Sequence, residues 1–218
     1  TTRLLDSMYK KGLIESRERR IYRNPFGDQY GFIERPEVLT EEQNAVLDVL
    51  LPTIVQKSYK PFLLHGVTGC GKTEVYLRCT EKTLAEGCDV LVLVPEIALA
   101  TQLEAAFVSR FGDQVVLLHS GLSAGEKYDQ WCLAATSKAK IVIGARSSIF
   151  APLKNPGLII VDEEHDTAYK QDDGFRYHAR DLALLRGRFH DSVVILGSAT
   201  PSITSFHHTT TDKYQLLT

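Results

Sequence analysis

The sequence predicts an α/β protein built on an open parallel sheet with helices on both faces. Short, continuous runs of Val, Ile and Leu recur along the chain, and helix-like stretches separate most of them. Such runs are typical of parallel strands covered on both faces, and the alternation implies right-handed crossovers. Chemically suggestive residues follow the strand ends, where ligands bind in sheets of this kind. The candidate strands are residues 62–65, 90–94, 115–118, 141–144, 158–162 and 193–196.

Capping signals mark the start of two predicted helices. Thr40 is followed three residues later by Gln43, and Ser123 is followed by Glu126, which is the capping-box pattern. A third helix is expected over residues 74–86. The helix after Thr40 has an apolar face formed by Val46, Val49, Leu50 and Ile54.

The first 35 residues have a different character. Leu4, Leu5 and Met8 form a short helical stripe that ends at Gly12, and a basic two-stranded hairpin is expected over residues 13–23. This pair is similar to the recognition helix and wing of a winged helix-turn-helix domain, although any basic surface hairpin would fit the pattern. Residues 24–36 read as a linker. We therefore expect the C-terminal part of a winged-helix domain with its linker at residues 1–35, and one α/β lobe at residues 36–218.

Charge, apolar runs and cysteine spacing limit the classes of protein to which the chain can belong. The formal net charge of −2 provides no general basic field, so any nucleic-acid binding must come from local patches. Apolar runs fall short of the roughly 20 residues that cross a membrane. The four cysteines form no C-x-x-C pair, which favours reduced thiols in a cytoplasmic protein.

A glycine-rich turn between a predicted strand and helix carries the strongest chemical signal. It fits the phosphate-loop pattern G-x-x-x-x-G-K-[ST], in which backbone N–H groups and a helix N-terminus surround phosphate oxygens. Lys72 can reach the β- and γ-phosphates, and Thr73 can offer its hydroxyl to Mg²⁺. The alternative is a turn with no ligand. The residues of this loop are Gly66, Val67, Thr68, Gly69, Cys70, Gly71, Lys72 and Thr73.

A second strand ends in a run of acidic residues. Asp162 follows residues 158–161 and would hold Mg²⁺ opposite Thr73, and Glu163 would orient an attacking water. An acidic turn capping a helix is the other interpretation. Ser198 and Thr200, after the next strand, could link His165 to a nucleic-acid surface while also capping a helix.

Residues 169–180 interleave aromatic rings with cations around a turn at residues 172–174. Rings stack on exposed bases and cations pair with phosphates, so this mixture suits single-stranded DNA. A packed surface loop is the alternative. The residues concerned are Tyr169, Lys170, Phe175, Arg176, Tyr177, His178 and Arg180.

The order of the phosphate loop, Asp-Glu-Glu-His and Ser-Ala-Thr resembles motifs I, II and III of a superfamily 2 helicase. Residues 94–99, 119–123, 143–147 and 174–181 resemble motifs of the PriA family, the bacterial replication-restart helicases (primosomal protein N′). The resemblance covers essentially the whole chain. It implies a RecA-like ATP-binding lobe of a 3′-to-5′ DNA helicase that acts with ATP and Mg²⁺ on abandoned forks and single-stranded DNA, with primosome and single-stranded DNA-binding proteins as partners.

The same resemblance assigns roles to residues. Lys72, Asp162, Glu163 and His165 are the implied catalytic residues. Gln43 would approach the adenine, although its capping role is an equal interpretation. Contacts to DNA, or coupling of DNA to hydrolysis, are implied for Pro95, Glu96, Gly144, Arg146, Ser147, Lys170, Phe175, Arg176, Tyr177, His178, Ser198, Ala199 and Thr200.

Two departures from the family pattern stand out. Cys70 replaces the usual serine, and we predict that its oxidation weakens nucleotide binding. Residues 100–102 read Ala-Thr-Gln where the family often has Thr-Pro-Gln.

The resemblance also implies parts that this chain lacks. These are an N-terminal DNA-binding domain and a second lobe with arginine fingers and a zinc-binding cysteine insertion. An arginine finger contributes roughly 10³ to 10⁵ in rate. We therefore expect this chain to bind nucleotide with negligible turnover and no unwinding.

Three other functions remain open at this point. A small-molecule kinase would explain the phosphate loop but not the Ser-Ala-Thr element or the aromatic–basic run. A scaffold with a vestigial nucleotide site would not need the full set of site residues. Another superfamily 2 translocase would fit the three motifs, but residues 174–178 favour the restart helicase.

Overall fold

A computed structural model of the chain describes residues 2–15, 35–36, 38–95 and 100–218. Its helices are α1 Thr2–Lys10, α2 Glu41–Gln56, α3 Lys72–Ala85, α4 Ala100–Phe111, α5 Ala124–Ala135, α6 Ala179–Phe189 and α7 Ile203–Thr210. Its strands are β1 Lys60–His65, β2 Asp89–Leu93, β3 Val115–Leu118, β4 Ile141–Gly144, β5 Pro156–Val161, β6 Lys170–Gln171, β7 Tyr177–His178, β8 Val193–Ser198 and β9 Gln215–Leu217. Short 3₁₀ helices cover Gly112–Gln114, Arg146–Phe150 and Thr167–Tyr169.

The central sheet of the described residues has seven parallel strands in the order β3-β4-β2-β5-β8-β1-β9. The predicted α/β fold is confirmed, and all six predicted strands are present. The order places β8 between β1 and β5, with His65 beside Ser198 and Val161 beside Leu196. Strands β5, β8 and β1, whose ends carry the chemically suggestive residues, therefore lie side by side, and their carboxyl ends meet.

Side chains alternate between two buried layers along the strands. Phe62 and Leu64 of β1 pack with α2, α3 and α4, whereas Leu63 packs on the opposite face with residues of α5 and α6. Both faces of the sheet are covered, which explains why the strands are apolar at successive positions.

Both predicted capping boxes are present. The Thr40 hydroxyl accepts from the Gln43 amide at 3.2 Å, and the Gln43 side chain accepts from the Thr40 amide at 3.0 Å. Ser123 and Glu126 make the equivalent pair at the start of α5. The helix expected from residue 74 begins earlier, at Lys72, directly after the left-handed Gly71.

The N-terminal region is described only in part. The predicted first helix is observed as α1, and Gly12 follows it with a φ of +67°. Most of the predicted hairpin and linker falls within residues 16–34, outside the described residues, so the domain boundary near residue 36 stays a prediction. None of the helices in the described residues combines the length and apolar character that spanning a membrane requires.

Candidate functional site

A cleft of about 590 Å³ opens at the carboxyl ends of β1, β5 and β8. The phosphate loop forms one wall, and the turn after β5 forms the other. Two motifs that are far apart in sequence therefore face one space. The lining residues that the sequence singled out are Thr68, Gly69, Gly71, Lys72, Thr73, Pro95, Asp162, Glu163, His165, Ala199 and Thr200.

The phosphate loop depends on two glycines in left-handed conformations. Gly69 and Gly71 have φ angles of +82° and +89°, which other residues rarely adopt. A Cβ at Gly71 would also lie 2.1 Å from Nε2 of Gln43. The Lys72 ammonium donates to the carbonyl oxygens of Gly66 at 2.7 Å and Val67 at 3.3 Å, so it lies at the mouth of the loop.

Gln43 joins α2 to the phosphate loop. While its Oε1 completes the capping box, its Nε2 donates to the Cys70 carbonyl at 3.3 Å. A second cavity of about 420 Å³ lies between α2 and the loop, beside Val67 and the exposed Cys70. Gln43 thus completes the capping box of α2 and also lines an apolar recess.

A buried tyrosine holds the Asp162 carboxylate in place. Tyr76 of α3 donates from its hydroxyl to Oδ1 of Asp162 at 2.9 Å. Gly197 makes this contact possible, because a Cβ there would lie 1.7 Å from the Tyr76 oxygen. Burial raises the pKa of Asp162, and the nearby Glu163 adds to this, while Tyr76 and Lys72 act in the opposite direction.

The three residues after Asp162 point in different directions. Glu163 has a φ of +44°, which bends the chain sharply away from the strand and leaves its side chain in the cleft. Nδ1 of His165 lies 2.8 Å from the Ser198 hydroxyl, and its Nε2 lies 3.3 Å from the Thr200 hydroxyl. The predicted pairing of His165 with the Ser-Ala-Thr element is therefore observed, with Ser198 fully buried.

Glu164 points into the protein interior, which sequence reasoning missed. Its side chain is fully buried and accepts from Arg180 at 3.0 Å and from the Ser202 amide at 2.7 Å. The hydroxyls of Ser202 and Ser205 also donate to it, at 3.2 and 2.8 Å. No local pattern in the sequence distinguishes this buried carboxylate from Asp162 and Glu163, which precede it and line the cleft.

The run at residues 169–180 is divided between the core and the surface. The structure corrects two members of the aromatic–basic set: Tyr169 is fully buried, and Arg180 is committed to Glu164. The remaining residues form the β6–β7 hairpin, in which Lys170, Phe175 and Arg176 are exposed. Tyr177 and His178 are half-buried at its second strand.

The hairpin packs on the 3₁₀ helix Arg146–Phe150. Arg146 donates to the Lys170 carbonyl. The ring centroids of Phe150 and Tyr177 lie 5.1 Å apart, and Phe175 follows at 5.9 Å from Tyr177. Two separate motifs of the sequence thus form one surface.

A third cavity, of about 390 Å³, borders that surface. It includes Lys127 and Trp131 of α5, which sequence reasoning did not assign to a site, along with Arg146, Ser147 and Tyr177. The i, i+4 spacing of Lys127 and Trp131 was the available signal, since it places both on one face of the helix. We call Lys127, Trp131, Arg146, Ser147, Phe150, Lys170, Phe175, Arg176 and Tyr177 the aromatic–cationic surface.

Three other residues that were predicted to contact DNA do not lie on the aromatic–cationic surface in the described part of the chain. Gly144 is buried, and a Cβ there would lie 2.2 Å from the Leu118 carbonyl, so close packing accounts for this glycine. Pro95 is buried at the wall of the cleft. Glu96 lies outside the described residues.

Comparison with known proteins identifies the family. The sequence profile of the DEAD/DEAH box helicases matches residues 40–208, which is most of the chain. The chain belongs to the DEAD/DEAH box helicase family. It is also similar to curated proteins called replication restart protein PriA: it is 46% identical to that of Bacillus subtilis over 98% of this chain and 26% of the relative. For the PriA of Chlamydia muridarum, the identity is 44% over 99% of this chain and 29% of the relative.

The chain spans about a quarter of the length of these relatives. Solved helicase structures share its fold. RecG bound to a three-way DNA junction matches 99% of this chain and 25% of its own, with a TM-score of 0.64 and 20% identity. The UvsW helicase of bacteriophage T4 matches 78% of this chain and 55% of its own, with a TM-score of 0.53 and 18% identity. The parallel sheet is therefore the RecA-like fold of a helicase lobe.

Proposed function

We propose that this chain is the ATP-binding lobe of a DNA helicase that restarts stalled replication forks by 3′-to-5′ movement along single-stranded DNA. The observation that carries the proposal is the common cleft, in which Lys72 and Thr73 face Asp162 and Glu163. Membership of the DEAD/DEAH box family and the similarity to PriA proteins support the same function.

The residues of the cleft fit a magnesium-bound triphosphate. Amides of the phosphate loop and the N-terminus of α3 provide donors for phosphate oxygens, and Lys72 adds a positive charge. The amides of Gly66 and Cys70 are not among them, because they donate to the carbonyls of Ser198 and Val67. Thr73 and Asp162 are the ligands available to Mg²⁺, a metal that prefers oxygen donors. The metal would supply charge that stabilises phosphate oxygens.

The remaining residues of the cleft position a water and the nucleobase. Glu163 lines the cleft, its carboxylate has no hydrogen-bond donor among the described residues, and it would orient the water. His165, held between Ser198 and Thr200, lies 3.6 Å from the Glu163 carboxylate and limits its freedom. The recess beside Gln43 is the place for the base.

The aromatic–cationic surface is proposed to bind single-stranded DNA. Phe175 is 75% exposed and Trp131 is 41% exposed, so both rings are available for stacking. Stacking on an aromatic ring contributes about 1–3 kcal/mol per base, and the cations Lys127, Lys170 and Arg176 can meet the phosphates. The net charge of −2 describes the whole chain and does not exclude a local group of cations that attracts phosphates. One of these cations, Lys170, also lies 2.9 Å from Asp172 in the same hairpin.

The whole protein would contribute further parts and partners. Because this chain is similar to PriA proteins, we propose that the whole protein has forks, primosome proteins and single-stranded DNA-binding proteins as partners. We also propose that residues 1–35 are the C-terminal part of a winged-helix domain. Turnover by this chain alone is proposed to be negligible, because an arginine finger from a second lobe would be needed.

Nucleotide titration tests the proposal. Purified chain is titrated with a fluorescent ATP analogue in Mg²⁺, and we expect saturable binding that Lys72→Ala weakens by at least about tenfold, the loss of roughly one charge-assisted phosphate contact. Lys154→Ala, at an exposed lysine away from the cleft, is the matched control. Equal binding by the wild type and Lys72→Ala would favour a scaffold with a vestigial site.

DNA titration separates the helicase from a small-molecule kinase. Fluorescence anisotropy with a labelled oligo(dT) should show salt-dependent binding that Phe175→Ala combined with Arg176→Ala weakens several-fold. Absence of binding at low salt would contradict the assignment of the surface.

A further inference from the structure

The first turn of helix α3 determines the placement of both candidate metal ligands. Thr73, the second residue of the helix, is one of these ligands, and Tyr76 lies three residues later on the same face. The Tyr76 hydroxyl donates to Oδ1 of Asp162, the other ligand, at 2.9 Å. One helical turn therefore provides one oxygen ligand directly and holds the second ligand through a tyrosine.

The contact between Tyr76 and Asp162 is buried and has little room to change. The Tyr76 side chain is fully buried and lies against Gly197. A Cβ at Gly197 would lie 1.7 Å from the Tyr76 oxygen and 3.4 Å from Oδ1 of Asp162, so this glycine leaves the space that the pair occupies. The Asp162 amide also donates to the Leu93 carbonyl at 2.9 Å, which fixes the main chain behind the carboxylate.

The Tyr76 hydroxyl keeps its proton at neutral pH. Burial raises the pKa of Tyr76 well above its ordinary value of 10.0, and the charges of Asp162 and Glu163 add to this. The hydroxyl is therefore a constant donor to Oδ1 of Asp162.

This hydrogen bond divides the two carboxylate oxygens of Asp162 between the interior and the cleft. Asp162 lines the cleft, whereas Tyr76 is enclosed in the core, so the donor holds Oδ1 on the interior side. No side chain in the described residues donates to Oδ2, which is left for a metal ion or for a water bound to one. Bidentate binding would require Oδ1 to turn toward the ion and give up the Tyr76 hydroxyl.

This restriction matters because divalent cations use carboxylates differently. Mg²⁺ needs near-ideal octahedral geometry at about 2.0–2.1 Å and keeps several of its waters, so it uses few carboxylate oxygens. Ca²⁺ takes about six to eight oxygens at about 2.3–2.6 Å and often binds both oxygens of one carboxylate. A carboxylate that is fixed in place and offers one oxygen therefore suits the smaller ion.

We propose that Tyr76 is a positioning residue that sets the preference of the cleft for Mg²⁺ over Ca²⁺ by holding Asp162 as a one-oxygen ligand. This inference rests on the proposed function, since it needs a metal-bound nucleotide in the cleft. Tyr76 touches neither metal nor nucleotide and acts through Asp162.

The test compares the metal preference of nucleotide binding in Tyr76→Phe with that of the wild type. Kd for a fluorescent ATP analogue is measured in saturating Mg²⁺, in saturating Ca²⁺ and in EDTA. Tyr76→Phe removes the hydroxyl and keeps the buried ring. Tyr59→Phe makes the same change just before β1, at the opposite end of that strand from the cleft, and is the matched control.

In the wild type we expect the Mg²⁺ complex to bind about tenfold more tightly than the Ca²⁺ complex. Tyr76→Phe should reduce this ratio to about twofold or less, chiefly by tightening the Ca²⁺ complex, because Oδ1 becomes free to bind. Its affinity in EDTA should stay within about twofold of wild type, since the phosphate loop is unchanged. Tyr59→Phe should keep the full ratio.

A double-mutant cycle with Asp162→Asn tests whether the effect passes through the carboxylate. If it does, adding Tyr76→Phe to Asp162→Asn should leave the ratio of the Mg²⁺ and Ca²⁺ affinities unchanged. Should circular dichroism show Tyr76→Phe to be unfolded, crystal structures of the wild type with each metal–nucleotide complex provide the test. Asp162 should then bind either ion, or its water, through Oδ2 alone, with the Tyr76 contact retained.

Four results would overturn the inference: a folded Tyr76→Phe with the wild-type ratio, a wild type that binds both metal complexes equally, a Tyr76→Phe effect that persists in Asp162→Asn, or a crystal complex in which both oxygens of Asp162 bind the ion. Parallel weakening in Mg²⁺, Ca²⁺ and EDTA would also overturn it, because it would show a purely structural role for Tyr76. A wild type that binds no nucleotide under any of these conditions would instead remove the proposed function on which the inference rests.

Discussion

The two walls of the cleft are built in different ways. The phosphate-loop wall is eight consecutive residues that form a strand end, a glycine turn and a helix start, and it presents mainly backbone groups. The carboxylate wall presents side chains, and its placement depends on distant residues such as Tyr76, which is 86 residues from Asp162 in sequence. A site of the first kind is encoded locally, whereas one of the second kind depends on the packing of the whole lobe.

This difference determines where substitutions should matter. On the carboxylate wall, a change remote from the cleft can displace Asp162. On the phosphate-loop wall, a change beside a phosphate can alter binding while leaving the fold intact. Substitutions on the two walls should therefore differ in how strongly they affect folding.

Gly197→Ala should have the largest effect. Its Cβ would overlap the Tyr76 hydroxyl, so Tyr76 must leave Asp162 or the strand must move. We expect a loss of about 3 kcal/mol in the free energy of unfolding, measured by urea denaturation. The double variant Gly197→Ala/Tyr76→Phe should recover part of that loss, because it removes the overlapping oxygen. A stability of Gly197→Ala equal to that of wild type would show that the contact is not tight.

Glu74→Gln should have an intermediate effect, because Glu74 ties α3 to α4. Its carboxylate is 2.6 Å from Arg78 and 2.9 Å from Arg110. Burial raises the pKa of Glu74, but the two arginines outweigh it, so the pKa lies below its ordinary value of 4.5. We expect a loss of about 2 kcal/mol at neutral pH.

The pH dependence of this loss follows from the lowered pKa of Glu74. The stabilisation is complete above the unfolded-state pKa and disappears as the pH falls through the folded-state pKa. The difference between wild type and Glu74→Gln in urea denaturation should therefore shrink as the pH is lowered below about 4. A difference that is constant from neutral to acid pH would contradict the ion-pair explanation.

Modification of the Cys70 thiol should have the smallest effect on folding and a clear effect on nucleotide binding. The thiol is exposed on the phosphate loop, so a mixed disulfide with glutathione adds a bulky anion there without disturbing the core. We expect an unchanged melting temperature and nucleotide binding weakened by roughly tenfold, reversed by a reductant. Cys70→Ser given the same treatment should keep its affinity. Unchanged affinity after confirmed modification of Cys70 would refute the prediction.

The same contrast explains what the sequence could reveal. The phosphate loop, the capping boxes at Thr40 and Ser123 and six strands follow from local patterns, and the structure contains them. Strand β9 was missed because its three residues gain their strand conformation only by pairing with β1 at the edge of the sheet.

The carboxylate wall shows why the burial and the partners of some residues could not be predicted from the sequence. An interleaved run of rings and cations looks the same whether a member is buried or exposed, so Tyr169 was placed at the surface when it belongs to the core. The partners of Glu164 lie 16 to 41 residues away, and only the folded chain brings them together. Residues whose role is set by long-range partners need coordinates to be recognised.

The most direct test of the common cleft uses Mn²⁺ in place of Mg²⁺. Backbone amide resonances of the ¹⁵N-labelled chain are recorded with Mn²⁺·ATP and with diamagnetic Mg²⁺·ATP as the reference. If one metal-bound nucleotide lies between the two walls, the amides of both Thr73 and Asp162 should broaden strongly, and Lys72→Ala should abolish the broadening at both. Broadening confined to one wall while the nucleotide is bound would contradict a shared site.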